Sequence, residues 1–176
     1  MSILPAKAKT ATFIFNVEKI DKIIEEYQTL SGIKLEVGVF APSRKEIAAR
    51  HEYGEGYLPQ RSFVRSAWFE NQDLQMEMFV EMLNFIYASQ NKIWVGDIRL
   101  KEFALRKMSE LGRKLVYYMR VKILRRIPPP LKPATKKAKR RAGSPYPTIP
   151  LIDTGNLYQF INYRIRDRGK FAKKYD

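Results

Sequence analysis

Residues 33–40 read IKLEVGVF, an alternation of apolar and polar side chains. A period of two places every second side chain on one face, which predicts a half-buried strand. Residues 18–31, immediately before it, carry apolar side chains at the spacing of an amphipathic helix that ends at Gly32. A strand with one apolar face needs a covering layer of helices, so the pattern indicates a mixed fold.

Two further stretches predict strands. Residues 11–17 (ATFIFNV) are rich in β-branched and aromatic side chains, and residues 161–165 (INYRI) alternate again. We therefore expect a single α+β domain, with a small, mostly antiparallel sheet of three or four strands packed by long helices. Residues 1–10 are then an N-terminal extension, and residues 168–176 are a flexible tail.

The first half of the chain predicts two helices between the strands. Ser43 and Glu46 match a capping box ahead of a short helix over residues 47–51. A loop with two glycines follows over residues 52–62. A long helix is expected from there to residue 89, because apolar side chains recur at helical spacing, including Phe79, Met82, Leu83 and Ile86.

The second half predicts two more helices. One is expected to begin with Asp97 as its N-cap and to stop before Pro128, where three consecutive prolines prevent a helix from continuing. A short helix over residues 156–160 follows, with Asp153 or Thr154 as its N-cap.

The net charge of +15 comes mainly from one segment. Residues 111–152 hold twelve basic side chains and no acidic one, whereas residues 1–110 hold equal numbers of both. Seven of the ten prolines lie within residues 128–150, which predicts an extended Pro-rich basic arm or long loop.

Two interpretations of this charge remain open. The segment contacts phosphates or an acidic protein surface, or it is a solvated helix face followed by a mobile loop. On the first interpretation the basic contact surface consists of Arg125, Arg126, Lys132, Lys136, Lys137, Lys139, Arg140 and Arg141.

Composition excludes several classes of site. The chain has no cysteine and one histidine, which excludes disulfides, thiolate metal sites and histidine clusters. It has no Gly-rich phosphate loop and no carboxylate pair beside a nucleophile, so we expect neither an enzyme nor a bound cofactor. No apolar run approaches the roughly 18 residues that span a bilayer, and no signal-peptide core is evident. A protein made in the cytoplasm without membrane contact is expected.

Several short motifs occur in a defined order. They are VGV at residues 37–39, HEYG at 51–54, LPQRSFVRSA at 58–67, PPPL at 128–131 and PLIDTGNL at 150–157. In this order they resemble the tail-completion, or virion-morphogenesis, family of tailed-bacteriophage neck proteins. The pattern of that family is V-G-V, an EFG turn, IPARPFLR and a terminal PLIDTGxL.

Three features depart from the family pattern. Tyr53 stands where the pattern has phenylalanine, and Ser62 stands where it has the second proline of PARPF. The arm between Leu131 and Leu151 is longer and more basic than the pattern.

The resemblance implies a structural virion protein rather than an enzyme. Such proteins form rings, usually of six subunits, that join the head or connector to the tail. The implied partners are other copies of this chain, a head-closure protein or connector, a tail terminator or tail tube, and the packaged DNA. The implied location is the neck or tail of the virion, and the motifs do not separate tail completion from a tail-terminator or head-closure role.

Ring subunits commonly contact their neighbours through loops and arms. The loop over residues 52–65 has the aromatic and Arg composition of interface hot spots, and the Pro-rich arm loses little entropy on docking. A core role is the alternative for Phe63 and Trp68, and we favour it for Trp68. The predicted interface residues are Tyr53, Gly54, Tyr57, Pro59, Arg61, Phe63, Arg65, Pro128, Pro129, Pro130, Leu131, Pro150, Leu151, Asp153, Thr154 and Gly155.

A rival hypothesis comes from another class: a small basic DNA- or RNA-binding protein that uses residues 113–141. The chain has no RNP-type aromatic pair, no GXXG loop and no zinc-finger spacing. The two hypotheses differ in an observable, because nucleic-acid binding through phosphates weakens steeply with salt.

Overall fold

The computed structural model describes residues 30–90 and 100–174, together with the helical positions Asp21, Ile24, Glu25 and Gln28. Those positions agree with the helix predicted over residues 18–31. The predicted extension over residues 1–10, the predicted strand over 11–17 and the predicted helix start at Asp97 lie outside the described residues. They stay predictions.

An antiparallel sheet forms the base of the fold. Its strands are β1 (Ile33–Val39), β2 (Ile161–Asp167) and β3 (Lys170–Lys174), and β2 lies in the middle. In the β1–β2 register Val37 lies opposite Tyr163, so the apolar side chains of both strands share one face. The mixed helix-and-strand class and both of these strands are as predicted.

The predicted flexible tail over residues 168–176 is wrong where β3 pairs with β2. Arg168 and Gly169 both have positive φ, 47° and 81°, and they reverse the chain between the two strands. Positive φ at both central residues is the geometry of the tight hairpin turn whose twist matches that of the strands. Residues 170–174 therefore return along the sheet as β3.

Helices cover the sheet. The described residues contain α1 (Pro42–Tyr53), α2 (Val64–Glu70), α3 (Gln72–Gln90), α4 (Leu100–Leu124), α5 (Pro133–Arg141) and α6 (Asn156–Gln159). None of the helices in this part of the chain is long and apolar enough to cross a membrane.

Two predicted N-caps are wrong. Ala41 is the N-cap of α1, and Pro42 follows it without a side-chain cap from Ser43. Proline suits the first helical position because its missing N–H has no partner there in any case. Gly155, in a left-handed conformation, is the N-cap of α6 in place of Asp153 or Thr154.

The long helix predicted over residues 62–89 is interrupted at Asn71. The side-chain amide of Asn71 donates to the Ala67 carbonyl at 2.6 Å, and α2 ends there before α3 begins. Short amide side chains compete in this way for helical carbonyls.

The arm over residues 128–150 is not extended throughout. Pro133 begins α5, which runs to Arg141, because a proline ring fixes the φ of a first helical residue favourably. The prediction of an extended segment is therefore wrong for its middle third, although the prolines before Pro133 do lie outside helices.

The core lies between α4 and the inward face of the sheet. Leu115, Met119 and Ile123 of α4 are completely buried, as are Ile161 and Ile165 of β2. Gly112 lets α4 approach β2 closely, because a Cβ at this position would lie 2.5 Å from the ring of Tyr163. Most of the predicted site residues lie in the segments between α1 and α2 and between α4 and β2.

Candidate interaction surfaces

A buried carboxylate organises the loop predicted as an interface. Glu52, at the end of α1, is only 5% exposed. Its oxygens accept hydrogen bonds from the backbone amides of Phe63, Val64 and Arg65 at 2.8–3.0 Å and from the Ser62 hydroxyl at 2.7 Å. One side chain therefore satisfies the free amides that begin α2.

These hydrogen bonds determine the ionisation of Glu52. Burial alone would raise its pKa, but the bonds from Ser62 and the three amides favour the charged form and hold the pKa below its ordinary value. The Arg65 side chain adds an ion pair at 3.2 Å. Sequence reasoning missed Glu52 because this residue caps a helix that begins twelve residues later. The known capping patterns join residues only three or four positions apart.

Arg61 connects the two stretches that carry the motifs. It is 4% exposed, and its Nε and Nη2 donate to the Pro129 carbonyl at 3.2 and 2.7 Å. The LPQRSF stretch is therefore joined to the PPPL stretch within one subunit. Because the guanidinium is buried in this contact, the prediction of Arg61 as an interface residue is wrong.

Phe63 and Trp68 have the reverse of their predicted roles. Phe63 has no exposed surface, whereas Trp68 is 36% exposed. The reason is their position around the start of α2, where Glu52 holds the Phe63 amide toward the interior. Phe63 is a core residue and not an interface residue, and the core role favoured for Trp68 is wrong.

Other residues of this loop are at the surface. Glu55 and Leu58 pair across a tight turn whose tip is Tyr57, which is fully exposed. Tyr53 is also exposed, and the Arg65 guanidinium lies over its ring at 4.5 Å. Gly54 and Pro59 are partly buried.

Five predicted residues line one cleft of about 500 Å³, the α1 cleft. Arg44, Ile47 and His51 of α1 form one wall. The rest of the lining consists of Leu131, Lys139, Leu151, Asp153 and Thr154, together with Ile152, Asn156 and Leu157. Pro150, in contrast, is fully buried and does not line this cleft, so its prediction as an interface residue is wrong.

Lys139 anchors α5 to the α1 cleft. Its ammonium group donates to the carbonyls of Tyr146, at 2.7 Å, Ile149, at 2.9 Å, and Ile152. Burial lowers the pKa of Lys139, and the nearby Asp153 carboxylate opposes that shift. Lys139 was predicted in the basic contact surface, but its charge is used inside the subunit.

The polar atoms of the α1 cleft do not form a metal site. Arg44 Nε and His51 Nδ1 are buried there without a hydrogen-bond partner among the described residues. Burial and the charge of Arg61 lower the pKa of His51, which favours the neutral ring. Within residues 30–90 and 100–174, no group of three or more acidic or histidine side chains is placed to hold a metal ion.

An exposed apolar face lies on α3 and was not predicted. Met82 and Ile86 are buried as expected, but Phe79 and Leu83 of the predicted stripe are exposed. The exposed residues recur at positions i, i+4, i+7 and i+11, and we call them the α3 stripe: Met76, Val80, Leu83 and Tyr87. Trp68 and Phe69 add exposed aromatic surface on α2.

The remaining predicted cations and prolines are at the surface. Exposed residues of this group are Arg125, Arg126, Lys132, Lys137, Arg140, Arg141, Pro128, Pro129 and Pro130, and Lys136 is partly buried. Asp153 and Thr154 are exposed at the rim of the α1 cleft, and Gly155 is partly buried.

Comparison with known proteins gives no relative for this chain: no family model, no curated protein and no solved structure matches it.

Proposed function

We propose that this chain is a structural component of a tailed-bacteriophage virion, a tail-completion protein of the neck. In this proposal, copies of the chain form a ring, with six as the expected number, that joins the head or connector to the tail. The chain has no catalytic role in it.

The contact between Arg61 and Pro129 carries the proposal. The motifs that resemble the neck family lie far apart in the sequence, yet this bond joins two of them at 2.7 Å. Leu131 and Leu151, from the PPPL and PLIDTG motifs, line the same cleft. The motifs therefore lie together in one structural unit. This is expected if the chain shares the architecture of the neck family that its motifs resemble.

The exposed apolar face supports assembly. A water-exposed stripe of Met76, Val80 and Leu83 on one helix is the kind of surface that marks a protein–protein contact. Ring subunits need such a face, because each copy presents one surface to the next copy and a different one to the copy before it. Fully exposed Tyr57 provides an aromatic anchor of the type found at interface hot spots.

The same surfaces fit the neighbouring ring roles. A tail-terminator or head-closure protein of the same neck also needs contacts to sister copies and to the rings above and below. The partners proposed are therefore other copies of this chain and a head-closure protein or connector on one side, with a tail terminator or tail tube on the other.

A complementation experiment in the encoding phage tests the proposal. The coding sequence receives an early stop codon, and wild type, Val80→Glu or Asn84→Glu is supplied from a plasmid. Without complementation, electron microscopy of the lysate is expected to show filled heads and separate tails. Wild type and Asn84→Glu restore joined particles, whereas Val80→Glu does not, because it places a charge in the α3 stripe.

Asn84→Glu is the matched control, since it adds the same charge at an exposed position beside the α3 stripe, on the side of α3 that carries Glu77 and Glu81. Joined, infectious particles in the uncomplemented lysate would contradict the neck role. Equal rescue by Val80→Glu and wild type would remove the α3 stripe from the assembly contact.

A further inference from the structure

One side of α5 presents cations and almost nothing else. Lys137, Arg140 and Arg141 are exposed, and Lys132 precedes them at the N-cap. Among the residues that the structure describes, none of these four makes an ion pair. We call them the α5 surface.

Helix stability accounts for only part of this charge. Cations near a helix C-terminus complement the helix dipole, which fits Arg140 and Arg141. Lys132 lies at the opposite end as the N-cap residue, where the dipole favours anions, and no side chain caps that end. Cations at an end where they oppose the dipole indicate that an external anion neutralises them.

The other side chains of α5 are small, which narrows the class of partner. Ala134, Thr135 and Ala138 are exposed between the cations, and no large apolar side chain lies on this helix. The centre of a protein–protein interface relies on aromatic and other large side chains. A phosphate backbone can be bound by Lys and Arg without large apolar side chains, so this composition favours nucleic acid over an acidic protein.

The α5 surface is also held in place. Lys139 ties the helix to the Tyr146, Ile149 and Ile152 carbonyls, and the backbone amide of Ser144 donates to the Lys139 carbonyl at 3.0 Å. A fixed helix loses little conformational entropy on binding. Its nine residues span about 13 Å, which equals the rise of roughly four base pairs along the duplex axis.

We propose that the α5 surface binds the phosphate backbone of duplex DNA without reading its sequence. The inference rests on the proposed function in one respect, the location of the DNA, which is the duplex that passes through the neck. The binding itself is a property of the isolated chain, and is therefore measured apart from assembly.

The test measures binding of the full chain to a labelled duplex of about 30 base pairs by fluorescence anisotropy, from about 50 to 300 mM salt. The test variant changes Lys132, Lys137, Arg140 and Arg141 to Gln. The matched control changes four other exposed cations to Gln and so removes the same net charge: Lys34, Lys45, Arg106 and Arg113.

Wild type is expected to bind with an affinity that falls steeply as salt rises. The α5 variant is expected to lose at least about tenfold in affinity at about 100 mM salt, and its log–log salt slope is expected to fall by about 3 to 4. The control variant is expected to stay within about threefold of wild type, because charges away from the contact act only through the screened overall field.

Three outcomes would overturn the proposal. They are no binding by wild type at the lowest salt, equal losses in both variants, and tighter binding of labelled polyglutamate than of duplex DNA. The last outcome would assign the α5 surface to an acidic protein. Circular dichroism of each variant checks that the fold is kept, and the stop-codon lysate without complementation reports the neck role independently of DNA binding.

Discussion

Glu52 shows how one residue connects two helices of this protein. A carboxylate is normally expensive to bury, but here four hydrogen bonds and the Arg65 ion pair compensate for the lost solvation. The side chain thereby aligns the end of α1 with the start of α2, and it places Phe63 in the core.

We predict that Glu52→Gln lowers the free energy of unfolding by about 2 kcal/mol at neutral pH, because a neutral amide is a weaker acceptor and directs its NH₂ at other donors. For a chain of this size that is a fall of about 4–8 °C in Tm. Thermal melts followed by circular dichroism measure it.

The effect of Glu52→Gln depends on pH with a defined sign. The pKa of Glu52 in the folded protein lies below its ordinary value of 4.5. The contribution of Glu52 to the free energy of unfolding is therefore complete above pH 4.5, and it is lost as the pH falls through the folded pKa. The difference between wild type and variant therefore shrinks in acid. Glu46→Gln, an exposed residue of the same helix, is the control and is expected to change Tm by less than about 2 °C. A difference that stays constant down to low pH would contradict the role given to the carboxylate.

At the scale of elements, α5 depends on Lys139 more than on apolar packing. None of its residues is buried, so the three carbonyl contacts of Lys139 provide its main attachment among the described residues. A small exposed helix with one anchor should respond strongly to loss of that anchor.

We predict that Lys139→Met loosens α5 and residues 144–153. Three carbonyls would lose their charged donor, at a cost of about 2 kcal/mol to the local structure. Amide hydrogen exchange is expected to accelerate by about tenfold or more in peptides covering this segment, while α4 is unchanged. Lys137→Met, an exposed neighbour on the same helix, should exchange like wild type. Equal exchange in both variants would show that α5 is held by other contacts.

Pattern recognition predicted elements better than it predicted their ends. The alternation in residues 33–40 and 161–165 located β1 and β2, because a half-buried strand must alternate. The cap at Ala41, the break at Asn71 and the hairpin that returns β3 were missed. Each depends on backbone geometry or on one side-chain hydrogen bond, which periodicity does not report.

At the scale of the whole molecule, charge and apolar surface lie on different helices. The α3 stripe is exposed on one helix, and the cations of the α5 surface are exposed on another. In a ring, the apolar contacts would attract neighbouring copies, while the net charge of +15 on each copy would repel them.

We predict that self-association of the purified chain increases with salt. Raising ionic strength from about 50 to 300 mM shortens the screening length from roughly 14 to 6 Å, which weakens repulsion between copies and leaves apolar contacts intact. Sedimentation velocity at fixed protein concentration measures the fraction assembled. Val80→Glu should remain monomeric throughout, and Asn84→Glu should follow wild type. Dissociation of wild type as salt rises would contradict an apolar contact and indicate that ion pairs hold the copies together.

The sequence by itself determined the fold class, the two main strands, the concentration of charge in one segment and the order of the motifs. These follow from periodicity and composition, which are local properties of the chain. Only the tertiary structure decided which of the predicted residues are available. It buried Arg61, Phe63 and Pro150, turned Lys139 inward, and exposed Trp68 and the α3 stripe. The physical reason is that burial depends on contacts between residues distant in sequence, such as Arg61 with Pro129, and no local pattern encodes those pairs.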